Sequence, residues 1–231
     1  MQDRDEDPRE PGGDTRSALI RAAIEAFGRD GYEAATTKAI AGAANANQAL
    51  ISYYFGSKEG LYVAAVEHIA DQIGARMGPI GECVESETRR LEAELSMPVE
   101  DRRIRYFDLL CQMVDGFAEM LTDQESAAWA QVLVREQQQP GPAFDALYGR
   151  VQERVLGQMA RLVARLNGES SPSAADRLTV LTIVGQVLVF RTARAAVVRF
   201  MGWETIRTQQ VTRIKHAVHH NLAAMLGVEH E

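Results

Sequence analysis

The chain has 231 residues, of which 46% are hydrophobic and 25% charged, with a formal net charge of −7. That is a globular balance, long enough for one large domain or two small ones, and it excludes extensive disorder. The acidic total excludes a protein that coats nucleic acid nonspecifically, although a local DNA-binding face remains open.

The cysteines, Cys83 and Cys111, form no CxxC pair, which points to a reducing compartment rather than a disulfide framework. Residues 1–13 carry five acids and two bases and are rich in Pro and Gly, so they read as a disordered acidic tail. They lack the basic start and apolar run of a signal peptide. Residues 14–62 hold five acids and five bases, so the acidity lies elsewhere.

The first helix is expected from about Thr15 to Asp30, with Thr15 as cap and Gly31 after its end. Ile20, Ala23, Ile24 and Phe27 repeat at helical spacing and form its buried stripe. A second helix follows from about Thr37 to Ala44, capped by Thr36, with Asn45 in the left-handed turn position. A third runs from about Gln48 to Phe55, capped by Asn47. A fourth starts after Ser57 and reaches about Ala75. Further helical segments are expected at about 82–95, 99–122, 124–138, 142–167, 173–201 and 204–226, separated by "MGP", "SMP", "TD", "QPGP", "NGESSPS" and "MGW". No alternating strand pattern appears, so the class is all-α.

On the third helix, Ile51, Tyr54 and Phe55 share one side and Gln48, Ala49, Ser52 and Tyr53 the other. Small residues beside neutral hydrogen-bonding groups suit a helix that lies deep in a DNA groove. A helix, a turn and a second short helix on a three-helix core make a helix-turn-helix unit, whose second helix enters the major groove. Gln48 stands at its N-terminal end, where a glutamine can bond adenine bidentately. Tyr53, Thr37 and Lys38 are placed for the backbone. Lys58, at the start of the fourth helix, adds an ammonium to free N–H groups that suit a phosphate. Asn47 and Ala49 complete the expected DNA-facing set. Arg16 and Arg21 are further phosphate candidates.

The stretch "TTKAIAGAANANQALISYYFGSKEGL" resembles the TetR family of bacterial transcriptional regulators over about residues 15–62. It departs from the family pattern at Asn45, where Gly is usual, and at Leu50 and Ser52, where Thr and Tyr are common. The departures imply an operator unlike the family's better-known ones. "VREQQQPGPAFDALYGRV" and "VGQVLVFRTARAAVVRFMGW" resemble the ligand-binding domain of the CecR (YbiH-like) branch. The resemblance implies a homodimer formed through the last two helices and a small-molecule effector held in a cavity between helices. Met113, Phe117, Trp129 and Phe144 are candidates to line that cavity, with Gln186 and Phe190 beside them. Arg191 and Arg194 interrupt an apolar helix; each either reaches a ligand acceptor or makes a structural ion pair with an acid such as Glu136 or Asp145.

Apolar content in "LTVLTIVGQVLVF" and at Val211, Ile214, Val218 and Leu222 fits a four-helix interface between copies. The run Leu178–Phe190 contains Gln186 and is too short to span a bilayer. His216 and His220 are spaced to chelate a metal, but no third ligand is evident, so neither metal nor cofactor is assigned. No phosphate loop, nucleophile elbow or HExxH motif is present.

The expected organisation is a tail at 1–13, a helix-turn-helix DNA-binding domain at 14–62, and an effector-binding and dimerisation domain at 63–231. The expected function is a cytoplasmic, ligand-responsive, homodimeric repressor on a pseudo-palindromic operator. A helical small-molecule-binding protein or enzyme without DNA recognition is the alternative.

Overall fold

A computed structural model describes residues 11–123, 126–138, 142–149 and 153–229. Among the described residues there are eleven α-helices and no strand. They are α1 (Pro11–Ala34), α2 (Thr37–Ala43), α3 (Ala49–Phe55), α4 (Lys58–Ala93), α5 (Val99–Thr122), α6 (Ser126–Gln138), α7 (Pro142–Leu147), α8 (Glu153–Leu166), α9 (Ala174–Thr192), α10 (Arg194–Met201) and α11 (Thr208–Leu226). They fall into two compact units: the chain up to Ile69 together with Gln131–Ala146, and Ala70–Ala130 together with the chain from Leu147 onward.

In the first unit the helical stripe of α1 is buried as its spacing requires, with Leu19, Ile20, Ala23, Ile24 and Phe27 in the core beside Ile40, Ile51, Leu61 and Ala65. Each large side chain of this kind contributes roughly 1.5–3 kcal/mol on burial. The helix begins at Pro11 rather than at about Thr15, so residues 11–13, expected in the disordered tail, are helical and Thr15 lies inside the helix instead of at its cap. Proline's fixed φ and missing N–H suit a first helical turn. At Gly31 the chain kinks with φ 84° and ψ 169°, a region that essentially only glycine visits.

The second unit packs α5 against α8, α9 and α11, with α8 also on α9. Phe107, Leu110, Met113, Leu162, Ile183 and Leu222 are among its fully buried side chains. Arginines close the helix ends, where the last carbonyls lack intrahelical donors. Arg103 donates from Nε to Leu166 O at 3.0 Å and from Nη2 to Leu226 O at 2.6 Å, tying the ends of α8 and α11.

Other boundaries differ from the periodic reading as well, among them that of the expected segment 142–167, which holds both α7 and α8. α4 continues through Met77-Gly78-Pro79 to Ala93, because Met77, Val84 and Leu91 keep one face buried across the proline. The expected helix at 173–201 breaks at Ala193 into α9 and α10, bent by 83°. There the Thr192 hydroxyl donates back to Leu188 O, a bond that bends helices. The last helix starts at Thr208, with 203–207 extended or turning before it.

Neither cysteine is paired: Cys83 is exposed, whereas burial pushes the Cys111 thiol up to about 12. Among the described residues no single helix is long and apolar enough to cross a membrane.

Candidate nucleic-acid interface

The turn between α2 and α3 is built from local chemistry. Thr36 Oγ1 accepts from Ala39 N at 3.2 Å and so opens α2. Asn45 takes φ 52° and is the one non-glycine residue with positive φ among the described residues. Asn47 Oδ1 accepts from Ala49 N at 2.9 Å, which fixes the entry of α3. Gln48 has helical angles although α3 itself begins at Ala49.

Ile51 alone of α3 is fully buried, and Tyr54 and Phe55 are half-buried beside it. Asn47, Gln48, Ala49, Ser52 and Tyr53 are exposed on the other side, Tyr53 by 79%. Lys38 is exposed and Thr37 half-buried. Gln48 Nε2 donates to Thr37 Oγ1 at 2.9 Å, so the starts of α2 and α3 are joined. The Tyr53 ring meets Tyr54 edge-on at 5.0 Å, and the Arg16 guanidinium lies over Phe55 at 5.3 Å. α3 therefore presents a neutral polar face, held from behind by aromatic packing.

Lys58, expected to offer its ammonium to a phosphate, already has partners within the chain. Its Nζ donates to Glu33 O at 3.1 Å and lies 4.7 Å from the centroid of the Tyr32 ring. An ammonium has three donors, so capacity for a phosphate remains. Ser57 Oγ already accepts one free N–H of α4, that of Gly60, at 3.0 Å.

Two glycines passed over in the sequence position these parts. Gly56 ends α3 at φ 75°. A Cβ at Gly60 would stand 2.0 Å from Phe55 O, so only glycine lets α4 start this close to the end of α3. The glycine following Ser-Lys-Glu is the signal that could have shown it.

The candidates for an effector cavity are less coherent. Phe144 belongs to the first unit, whereas Met113, Phe117, Trp129, Gln186, Phe190, Arg191 and Arg194 belong to the second. Met113 and Trp129 are buried core; Phe117, Phe144 and Phe190 are half-buried. Gln186 Oε1 accepts from Asn221 Nδ2 at 3.1 Å, which joins α9 to α11. Arg191 donates from Nε to Leu121 O at 2.6 Å and from Nη2 to Asp123 O and Ser126 Oγ, and thereby closes the end of α5. Burial, followed by the nearby Arg194 charge, lowers its pKa. Arg194 donates to Thr205 Oγ1 at 3.2 Å. Glu136, considered as an arginine partner, instead accepts from Tyr62 Oη at 2.5 Å.

Comparison with known proteins agrees with the helix-turn-helix geometry. Residues 19–65 match the family of bacterial regulatory proteins of the tetR type, and residues 108–228 match the C-terminal domain of the HTH-type transcriptional dual regulator CecR. The chain is 31% identical to the HTH-type transcriptional dual regulator CecR of Shigella flexneri over 208 residues, 90% of this chain and 89% of that protein. It is 38% identical over 55 residues, 24% of this chain and 26% of that protein, to the HTH-type transcriptional repressor NicS of Pseudomonas putida. A solved structure of a putative transcriptional regulator from Pseudomonas aeruginosa PAO1 superposes with a TM-score of 0.61 at 16% identity, covering 94% of this chain and 93% of that one, a likeness of fold. The chain thus belongs to the tetR family of bacterial regulatory proteins, as a ligand-responsive DNA-binding transcriptional regulator with a C-terminal domain of the CecR type.

Proposed function

We propose that the chain acts in the cytoplasm as a homodimeric repressor, released from a pseudo-palindromic operator by a small-molecule effector. The observation that carries the DNA-facing assignment is the exposure of Asn47, Gln48, Ala49, Ser52 and Tyr53 on one side of α3 while Ile51 is buried on the other. Gln48 is the base-reading residue; Tyr53, Thr37, Lys38 and Lys58 contact the backbone. Residues 14–62 form the reading head, and the remainder binds effector and dimerises.

The dimer reading rests on α9 and α10. Leu178, Leu181, Gly185 and Leu188 form one exposed stripe at helical spacing, and Phe200 and Met201 of α10 are exposed as well. An apolar stripe left in water is a liability that a partner helix removes. Ile214, Val218 and Leu222 of α11, expected on that interface, face the core of their own protomer instead. Two heads would then sit one helical turn of DNA apart, roughly 34–36 Å. The effector must favour one arrangement of the heads, because equal affinity for both would shift nothing. Arg191 and Arg194 are assigned structural roles, given the acceptors they already hold.

A reading as activator has one observation in its favour, that the relative from Shigella flexneri is named a dual regulator. DNA binding by point variants tests the head. Lys58→Ala is expected to weaken all sequences and lower the salt slope by about one, whereas Gln48→Ala blurs preference at one base pair. Unchanged affinity in both variants would refute the assignment.

A further inference from the structure

The first unit contains a cavity of about 760 Å³ lined by no residue of α2 or α3. It lies among the C-terminal end of α1, the start of α4, α6 and α7. Its size falls within the ordinary range of small-molecule sites, roughly 300–1,000 Å³.

Three features of its wall point to one kind of occupant. Glu136 is 4% exposed, and its Oε2 is buried with no hydrogen-bond partner. Its other oxygen is held by Tyr62 Oη at 2.5 Å, so the side chain is fixed in place with half its acceptor capacity unmet. Burial, followed by Glu136, raises the Tyr62 pKa, which keeps the phenol a donor in that bond. A buried, unsatisfied carboxylate oxygen is costly unless a donor or a cation completes it.

The second feature is aromatic. Phe27, Tyr32 and Tyr62 form a mutual cluster with centroids 5.0–5.9 Å apart. Aromatic faces attract ammonium groups, and this cluster already holds one, the Lys58 ammonium over Tyr32. The third is charge. Glu33 and Glu59 also line the cavity, as does Asp30, which Arg29 already pairs at 2.7 Å; among the described lining residues one, Arg135, is cationic. Arg135 Nη2 is directed at Gly28 O, at 3.5 Å.

We propose that this cavity binds a primary organic ammonium ion with an apolar body, its N–H donors meeting the Glu136 carboxylate and its body lying against the Phe27–Tyr32–Tyr62 cluster. A primary ammonium fits because the unmet need at Glu136 is for an N–H donor. An apolar body fits because the remaining wall offers rings. Binding is read without DNA, so its outcome is independent of the reading-head assignment.

The test is calorimetric titration of the full-length protein with benzylammonium and phenethylammonium, and with phenethyl alcohol and phenylacetate as neutral and anionic counterparts. One saturable site per chain is expected for the ammonium ions, with the alcohol and the anion weaker by about tenfold or more, that is about 1.4 kcal/mol. Glu136→Gln is expected to remove a similar factor while its melting transition persists. Glu59→Gln, at an exposed position, is expected to weaken binding by a smaller factor that shrinks at high salt. The proposal is overturned if neither ammonium ion saturates, if the alcohol binds as tightly, or if folded Glu136→Gln binds unchanged. Should Glu136→Gln fail to fold, unaltered affinity and salt response in Glu59→Gln overturn it instead.

Discussion

Gln48 and Thr37, eleven residues apart, are joined by a side-chain hydrogen bond of 2.9 Å across the turn between α2 and α3. The bond holds the glutamine amide in one orientation before any base is met. Ordering a reading group in advance lowers the entropy that binding must overcome. Thr37→Val keeps the shape and removes the acceptor. On the proposed reading it is expected to broaden base preference at the pair assigned to Gln48 and to couple with Gln48→Ala by roughly 0.5–1.5 kcal/mol in a double-mutant cycle on DNA affinity. Additive effects would show that the two side chains act separately.

Gly60→Ala tests the close approach of α4 to α3. The added methyl would meet the Phe55 carbonyl, a main-chain atom that cannot swing aside. A loss of roughly 1–3 kcal/mol in urea unfolding is expected, as for other overpacked sites. An unchanged midpoint would mean that the first turn of α4 shifts freely.

The exposed stripe on α9 is tested by Leu181→Glu. Leu178 and Leu181 are 64% and 56% exposed and Phe200 90%, so a charge here removes no contact within the protomer core. Sedimentation is expected to show a shift from dimer to monomer with the helical content unchanged. A variant that stays dimeric would move the interface elsewhere.

The start of α9 carries a pH dependence of definite sign. Ser173 and Asp176 form a reciprocal capping box, with Ser173 N and Oγ each donating to Asp176 Oδ2 at 2.7 Å. The Ser173 backbone N–H first, then its hydroxyl and Asn167, hold the Asp176 carboxyl below the usual value. An unfolded aspartate titrates near about 3.9. The stabilisation is therefore complete above that value and is lost as pH falls through the lower folded value. Asp176→Asn is expected to cost about 1 kcal/mol at neutral pH, the ordinary worth of such a cap, with the difference from wild type shrinking as the pH drops below about 4. A difference that grows on acidification would contradict the capping role.

What could be read in advance was local. Thr36, Asn47 and Ser57 bond backbone N–H groups two or three residues away, and Asn45 adopts the positive φ that asparagine tolerates. What escaped was tertiary. Pro79 reads as a stop, yet burial of Met77 and Val84 carries α4 through it. The break at Ala193 has no glycine or proline to announce it. Lys58 is drawn to Glu33 and Tyr32, twenty-five or so residues back, and Glu136 to Tyr62, seventy-four away. Ile214, Val218 and Leu222 show the same limit: an apolar face can be recognised from its spacing, but whether it meets its own protomer or a second copy depends on the assembled fold.

Selection of bound fragments from random duplex DNA, performed in parallel with wild type and Gln48→Ala, tests the central claim most directly. The account expects wild type to enrich a pseudo-palindrome whose half-sites lie roughly 34–36 Å apart, and Gln48→Ala to relax the same base pair in both halves. No enrichment by wild type, or an identical motif from the variant, would contradict it.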